Sequence, residues 1–263
     1  MNEYQLTVHD DSRRPQGLAA VVLAFKRALA SQLHPKMLMA VLLPFIIALL
    51  GAIVLLWVFW EPLNNWLMTQ SADWGVLNTI DGWLLAIGLF SIKLYMIPLL
   101  AAGILLPMSG ILGLVIAAVF IMPIVLGHLD KSPHYQGLRR NGHNATVLSA
   151  WNAVWVGGLF VLGWLLTMPL WLFPPFAVLL PIFWWCFAIT RMLRVDAVVE
   201  HASVDERRYL WKRHNRQWWL IGFCLALVNL LPPAWLIMPV FSSLVFAHFG
   251  MEALRQHRLS GVS

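Results

Sequence analysis

Charge is what this chain has least of. Only 11% of its 263 residues are Asp, Glu, Lys or Arg against 60% hydrophobic, too little polar surface to coat a soluble globule of that length. A soluble single domain is thereby excluded, and the chain reads as an integral membrane protein. Cysteine is also scarce. Cys186 and Cys224 both lie within apolar stretches, which gives no disulfide framework and no metal-ligand spacing. Absent too are a nucleotide loop, a zinc signature and a pair of carboxylates inside an apolar run, so neither an enzyme nor a cofactor is expected. Ser243 and His248 do not supply a nucleophile and its base, because their separation puts them on different helix faces with no orienting acid.

One long polar stretch has no basic residue. The segment 61–81 holds Glu61, Asp73 and Asp81, whereas every Lys and Arg except Lys93 falls before Met37, in 128–146, in 191–217 or after Gly250. Basic loops stay on the cytoplasmic side, so both termini are expected there, with 61–81 outside. The net charge of +6 then reflects topology and contact with anionic lipid head groups, and no nucleic-acid partner is expected.

Hydrophobic runs set the organisation. Residues 1–16 are expected to be disordered and 17–258 to form a single membrane domain, followed by a tail, 259–263. Leu18, Val22, Phe25, Leu29 and Leu33 recur at helical spacing and predict an amphipathic interfacial helix over 17–33, with Arg27 on the opposite face. A spanning helix is predicted over 37–60, then the outer loop 61–81, then an interfacial piece and a second span over 82–127 bent by Pro98 and Pro107. In the connector before the last apolar region, Ser203-Val204-Asp205-Glu206 fits a capping box and predicts a cytoplasmic helix over 203–217.

Two regions, 147–190 and 218–249, begin and end at basic connectors, so each must return to the side it left. Both contain the same apolar cassette, Leu172 to Phe183 and Leu230 to Phe241, in which Pro174, Pro175 and Pro181 match Pro232, Pro233 and Pro239. A Pro-Pro step cannot sit in the middle of a straight helix, so each cassette predicts a turn between two limbs. For 218–249 the limbs are short and a re-entrant hairpin is expected; for 147–190 a hairpin and a full out-and-back pair both remain open. Broken, paired apolar segments point to a membrane solute site, with a repeated packing device as the equal alternative.

The run from Gly222-Phe223 through Asn229-Leu230-Leu231-Pro232-Pro233-Ala234-Trp235-Leu236-Ile237-Met238-Pro239-Val240 resembles a known family. So do Met122-Pro123 before a connector and Glu200-His201-Ala202-Ser203 before Glu206-Arg207-Arg208. The family is the CysZ-like, etoposide-induced (EI24-domain) integral membrane proteins. The resemblance implies an all-α integral membrane protein with an amphipathic N-terminal helix, two full spanning helices, two half-penetrating hairpins and homo-oligomers. It also implies a sulfate permease or channel activity in the CysZ members. Their Pro-Gly-Leu-Arg-Arg sequence is replaced by Pro35-Lys36-Met37-Leu38-Met39, and one Lys cannot copy the bidentate fork of an arginine. A small anion is therefore the expected solute, with sulfate itself in question.

The candidate anion path is drawn from Asn229, Ser242 and Ser243 beside the second proline tip, and from Lys26, Arg27 and Lys36 at a cytoplasmic mouth. Against these stand helix-holding roles for the hydroxyls and amide and lipid contact for the cations. Glu200, His201 and His214 read as solvated connector residues. The alternative to transport is a non-transporting scaffold or assembly factor with a basic cytoplasmic face.

Overall fold

The computed structural model of the chain describes residues 17–261 other than 143 and 173. The expected disorder of 1–16 and the end of the tail lie outside the described residues. Helix is the only regular structure among those described: α1 (Leu18–Gln32), α2 (Pro35–Gln70), α3 (Gly75–Ala86), α4 (Lys93–Leu129), α5 (Ala145–Thr167), α6 (Pro174–Asp196), α7 (Val204–Arg213), α8 (Asn215–Val228) and α9 (Met238–Leu259). Short 3-10 turns occupy Ser71–Asp73, Met168–Leu172 and Pro232–Leu236. Three helical stretches among the described residues, Pro35–Asp73, Ala145–Leu170 and Pro175–Asp196, are long and apolar enough to cross a membrane. The molecule is an all-α membrane protein. Its contacts divide the expected single domain into two compact units, one formed by the described part of Met1–Val41 with Ile121–Ser263, the other by Leu42–Phe120.

In the second unit the expected loop 61–81 is mostly helical. α2 runs through Pro62 to Gln70, so the span predicted to stop at 60 continues. Polar residues that read as loop instead bond back onto the helix: the Asn64 amide donates to the Trp60 carbonyl at 2.8 Å and the Thr69 hydroxyl to that of Asn65 at 2.8 Å. Leu67, Ile97 and Ala101 form the buried cluster of this unit, with Leu63 and Trp74 packed on it. The start of α4 is held by Asp81, whose carboxylate accepts from the Ser91 hydroxyl and the Ile92 amide, each at 2.7 Å. Lys93 donates to the Asn78 side chain.

In the first unit α6 packs on α5 and α8, and α1 packs on α9. α1 buries Val21, Ala24, Ala28 and Gln32, while Leu18, Val22, Leu29 and Leu33 face outward. Its large apolar residues are therefore free to meet lipid, and its small ones let α9 approach. The limbs of 147–190 extend beyond that range, α5 and α6 having 23 residues each, about 34 Å of helix. Both exceed the roughly 30 Å hydrocarbon layer. The two limbs of 218–249 are unequal. α8 has 14 residues, and α9 passes Gly250 without a break and ends at Leu259, 22 residues in all. Glycine stands at position 250 inside the helix because the packing leaves no room for a side chain: a Cβ there would lie 2.8 Å from Val198 and 3.2 Å from the Trp218 ring.

The matching cassettes fold differently. In the first, a 3-10 turn ends at Leu172, Pro174 opens α6 and Pro181 sits inside that helix. In the second, Leu231 is extended, Pro232 and Pro233 open a 3-10 turn, and Pro239 lies in the first turn of α9. The cytoplasmic helix predicted over 203–217 is two helices. α7 stops at Arg213, His214 takes φ −108° and ψ 24°, and α8 begins at Asn215.

Candidate functional site

Where α1, the α7–α8 corner and α9 meet, they enclose a cleft of about 620 Å³. Small residues open it from the α1 side, Gly17, Ala20 and Ala24, and the opposite walls carry Tyr209, Arg213, His214 and Gln217. α9 forms the floor with His248, Glu252, Gln256 and His257. The Tyr209 and His257 rings stack with centroids 4.3 Å apart. Two guanidinium groups, Arg27 and Arg213, line the cleft against one carboxylate, Glu252. Its surroundings therefore favour an anion.

A buried polar chain runs from the cleft wall. Arg27 donates to Glu252 at 2.8 Å and reaches the Tyr135 hydroxyl at 3.3 Å; Tyr135 lies 3.1 Å from His248 Nδ1, and His248 Nε2 lies 2.9 Å from the Ser31 hydroxyl. Arginine can only donate, so the Tyr135 oxygen accepts from Arg27 and its own proton points on toward His248. A neutral His248 then accepts at Nδ1 and donates from Nε2 to Ser31. Burial pushes the Tyr135 phenol up to about 12, against the pull of Arg27, so it stays protonated.

Glu252 is the node of the chain. Besides Arg27 it meets His134 Nε2 at 2.7 Å, the Gln256 amide at 3.0 Å and Arg255 at 3.7 Å. With Nε2 donating to the carboxylate, the 3.3 Å approach of Arg255 to the same nitrogen is a contact and not a hydrogen bond. Burial alone would raise the Glu252 carboxyl, but the bonds from Arg27, His134 and Gln256 outweigh it and hold it at about 2. Glu252 is a carboxylate throughout the physiological range.

A second network ties the connectors together. Arg258 donates to Glu206 at 2.8 Å, to the His201 carbonyl at 2.7 Å and to the Arg139 carbonyl at 3.0 Å. Ser203 accepts from the Glu206 amide at 3.3 Å while Glu206 accepts from the Ser203 amide at 2.7 Å, a complete capping box that Arg258 then clamps. His201 is not a solvated connector residue: it is fully buried and meets Asp130 at 2.9 Å. His214 is likewise part of the cleft wall. Among the described residues no three His, Cys, Asp or Glu side chains are placed to hold a metal ion.

The residues expected to form an anion path do not come together. Ser242 and Ser243 are buried, and their hydroxyls donate to the carbonyls of Met238 and Pro239 at 2.6 and 2.8 Å. A hydroxyl has one proton, so neither offers a donor to an ion in this arrangement. Asn229 ends α8, where its carbonyl accepts from the Trp235 indole at 2.6 Å. Lys26 and Lys36 are exposed, and only Arg27 of the three cations lines the cleft. Sequence reasoning missed His134, Tyr135 and Glu252, and weighed His248 only as a base for Ser243. Their spacing carries no pattern, because they meet through packing between residues more than a hundred positions apart.

The profile of the family described as sulfate transporter CysZ/etoposide-induced protein 2.4 (EI24) matches residues 24–239. No curated protein and no solved structure matches the chain.

Proposed function

We propose, from the premise that this chain belongs to the EI24 family of CysZ sulfate transporters and etoposide-induced 2.4 proteins, that it is a membrane permease for a small inorganic anion. The cleft bounded by α1, α7–α8 and α9 is its cytoplasmic vestibule. The observation that carries this reading is the lining of the cleft, where Arg27 and Arg213 stand against the single carboxylate of Glu252. Two guanidinium forks can replace part of the hydration shell of an oxyanion, which one lysine at position 36 cannot do. The basic segments around the cleft belong on the cytoplasmic side of a bacterial inner membrane, with both termini there and the protein assembled as a homo-oligomer in anionic lipid. A sulfate-like solute fits this site without the missing arginine pair, because its cations come from α1 and α7 instead of the start of α2.

A scaffold without transport is the second reading, and it is favoured by one observation. The hydroxyls of Ser242 and Ser243 beside the second proline turn are consumed by their own helix and are not offered to an ion there. Purified protein in liposomes separates the two. Influx of sulfate above that of empty liposomes, competed by selenate or phosphate, is expected of the permease; flux indistinguishable from empty liposomes for every anion tried favours the scaffold.

A further inference from the structure

Between Arg191 and Arg213 the chain carries six Lys or Arg residues and four carboxylates, and every carboxylate is taken. Asp196 meets Ser149 of α5. Glu200 pairs with Arg140 at 3.4 Å, Asp205 approaches its neighbour Arg208 at 4.0 Å, and Glu206 is clamped by Arg258 at 2.8 Å. Among the described residues no ion pair is left for Arg191, Arg194 or Arg207.

These three cations gather around one indole. Trp211 donates from its ring nitrogen to the Arg194 carbonyl at 3.2 Å, which ties α7 to the end of α6, and the Arg194 guanidinium lies 5.6 Å from the centre of the same ring. Arg191 is three residues before Arg194 on α6, and Arg207 is one turn before Trp211 on α7, so each neighbours its partner on a shared helix face. Arg207 is the anomaly. It is only 6% exposed, and its Nη1, like the Nε of Arg194, is buried without a hydrogen-bond partner among the described residues. A guanidinium does not shed its proton to escape burial, and a buried charge without a partner is among the costliest features a fold can carry. Burial pushes Arg207 below its usual value, and no carboxylate offsets it.

We propose that Arg191, Arg194 and Arg207 form a site for the phosphate of an anionic phospholipid head group, seated against Trp211 where α6 leaves the membrane. Phosphate suits the set because its oxygens accept from several arginine forks at once. The bilayer is the source because Pro175–Asp196 is long and apolar enough to cross it, which brings the cations at its end, and an indole beside them, to the level of the head groups. A zwitterionic head group would bring its own cation to the same arginines, so a net anionic lipid is preferred. Such a site differs from the diffuse attraction between a basic loop and a charged surface, which needs no fixed acceptor. It stands independently of the permease reading.

The test is thermal melting of the full chain in neutral-detergent micelles titrated with phosphatidylglycerol, with phosphatidylcholine and with inorganic phosphate. Wild type is expected to gain about 5 °C with phosphatidylglycerol and little with the other two. Arg207→Met keeps the length of the side chain but removes the unpaired charge. It is expected to melt no lower than wild type in detergent alone, and to need about tenfold more phosphatidylglycerol for the same gain, the worth of one charged hydrogen bond. An arginine kept only for packing would show the reverse, a lower melting point and an unchanged response to lipid. Arg194→Gln is expected to weaken the response similarly and serves if Arg207→Met does not assemble. Arg208→Gln with Lys212→Gln removes two exposed cations outside the site and should leave the wild-type response intact. Equal gains in wild type and both site variants would reduce the effect to general surface charge and overturn the site. A gain with inorganic phosphate matching that with phosphatidylglycerol overturns the lipid as its source, and no gain with phosphatidylglycerol in wild type overturns the proposal outright.

Discussion

Gly222 shows how closely the first unit is packed. A Cβ at this α8 position would lie 1.8 Å from the Thr190 hydroxyl and 3.2 Å from the Cys186 carbonyl of α6. The carbonyl belongs to the backbone and the threonine is β-branched, so neither yields cheaply. Gly222→Ala is expected to lower stability in detergent by about 1–3 kcal/mol, read as a fall in melting temperature. Adding Thr190→Ala should recover part of the loss, and a Gly222→Ala protein that melts like wild type would show that the helices are not in this contact. At this scale little was legible in the sequence. Arg27 reads as the polar face of an amphipathic helix, and from spacing alone that face belongs to water. It faces Glu252 because α9, placed against α1 by contacts far along the chain, brings a carboxylate to it. The serines beside Pro239 read as ion donors because nothing in a sequence says whether a hydroxyl bonds outward or to the carbonyl four residues back.

Elements were more legible where their signals are local. Ser203 and Glu206 announce the start of α7 through groups three residues apart, and the structure has both capping bonds. Arg258 reinforces that start from the far end of α9, so Ser203→Ala removes a cap whose partner is still held. A loss of about 1 kcal/mol is expected, with faster amide exchange confined to the first turn of α7. Uniform acceleration through α8 and α9 would contradict such a local role. The proline cassettes show where local pattern fails. Identical proline spacing gives a helix start at Pro174 in one copy and a 3-10 turn before Met238 in the other. A Pro-Pro step excludes a straight helix through its middle, but it does not choose whether the prolines open the helix after a turn, as at Pro174, or form the turn themselves, as at Pro232. Similarly, Glu61-Pro62 reads as the end of a span, yet α2 absorbs Pro62 as an interior proline, with Asn64 and Thr69 bonding back to the helix.

For the whole molecule, class and family were within reach of composition and motif, because a chain this apolar has one solvent available to it. The cleft was not, since its walls are drawn from Gly17 on one side and Ser260 on the other, with α7 and α8 between. Its assignment as the solute's cytoplasmic access is the central claim, and charge placed on its wall tests that claim most directly. Arg213→Cys, made in a chain whose Cys186 and Cys224 are replaced by Ala, would be reconstituted in liposomes. It would then be treated with thiol reagents that attach either a sulfonate or a trimethylammonium group, and sulfate influx measured. Influx is expected to drop toward the empty-liposome level with the sulfonate and to return toward that of the parent with the ammonium. Equal influx after the two reagents, in a chain that carries sulfate and is shown to be modified at position 213, would contradict a route through the cleft.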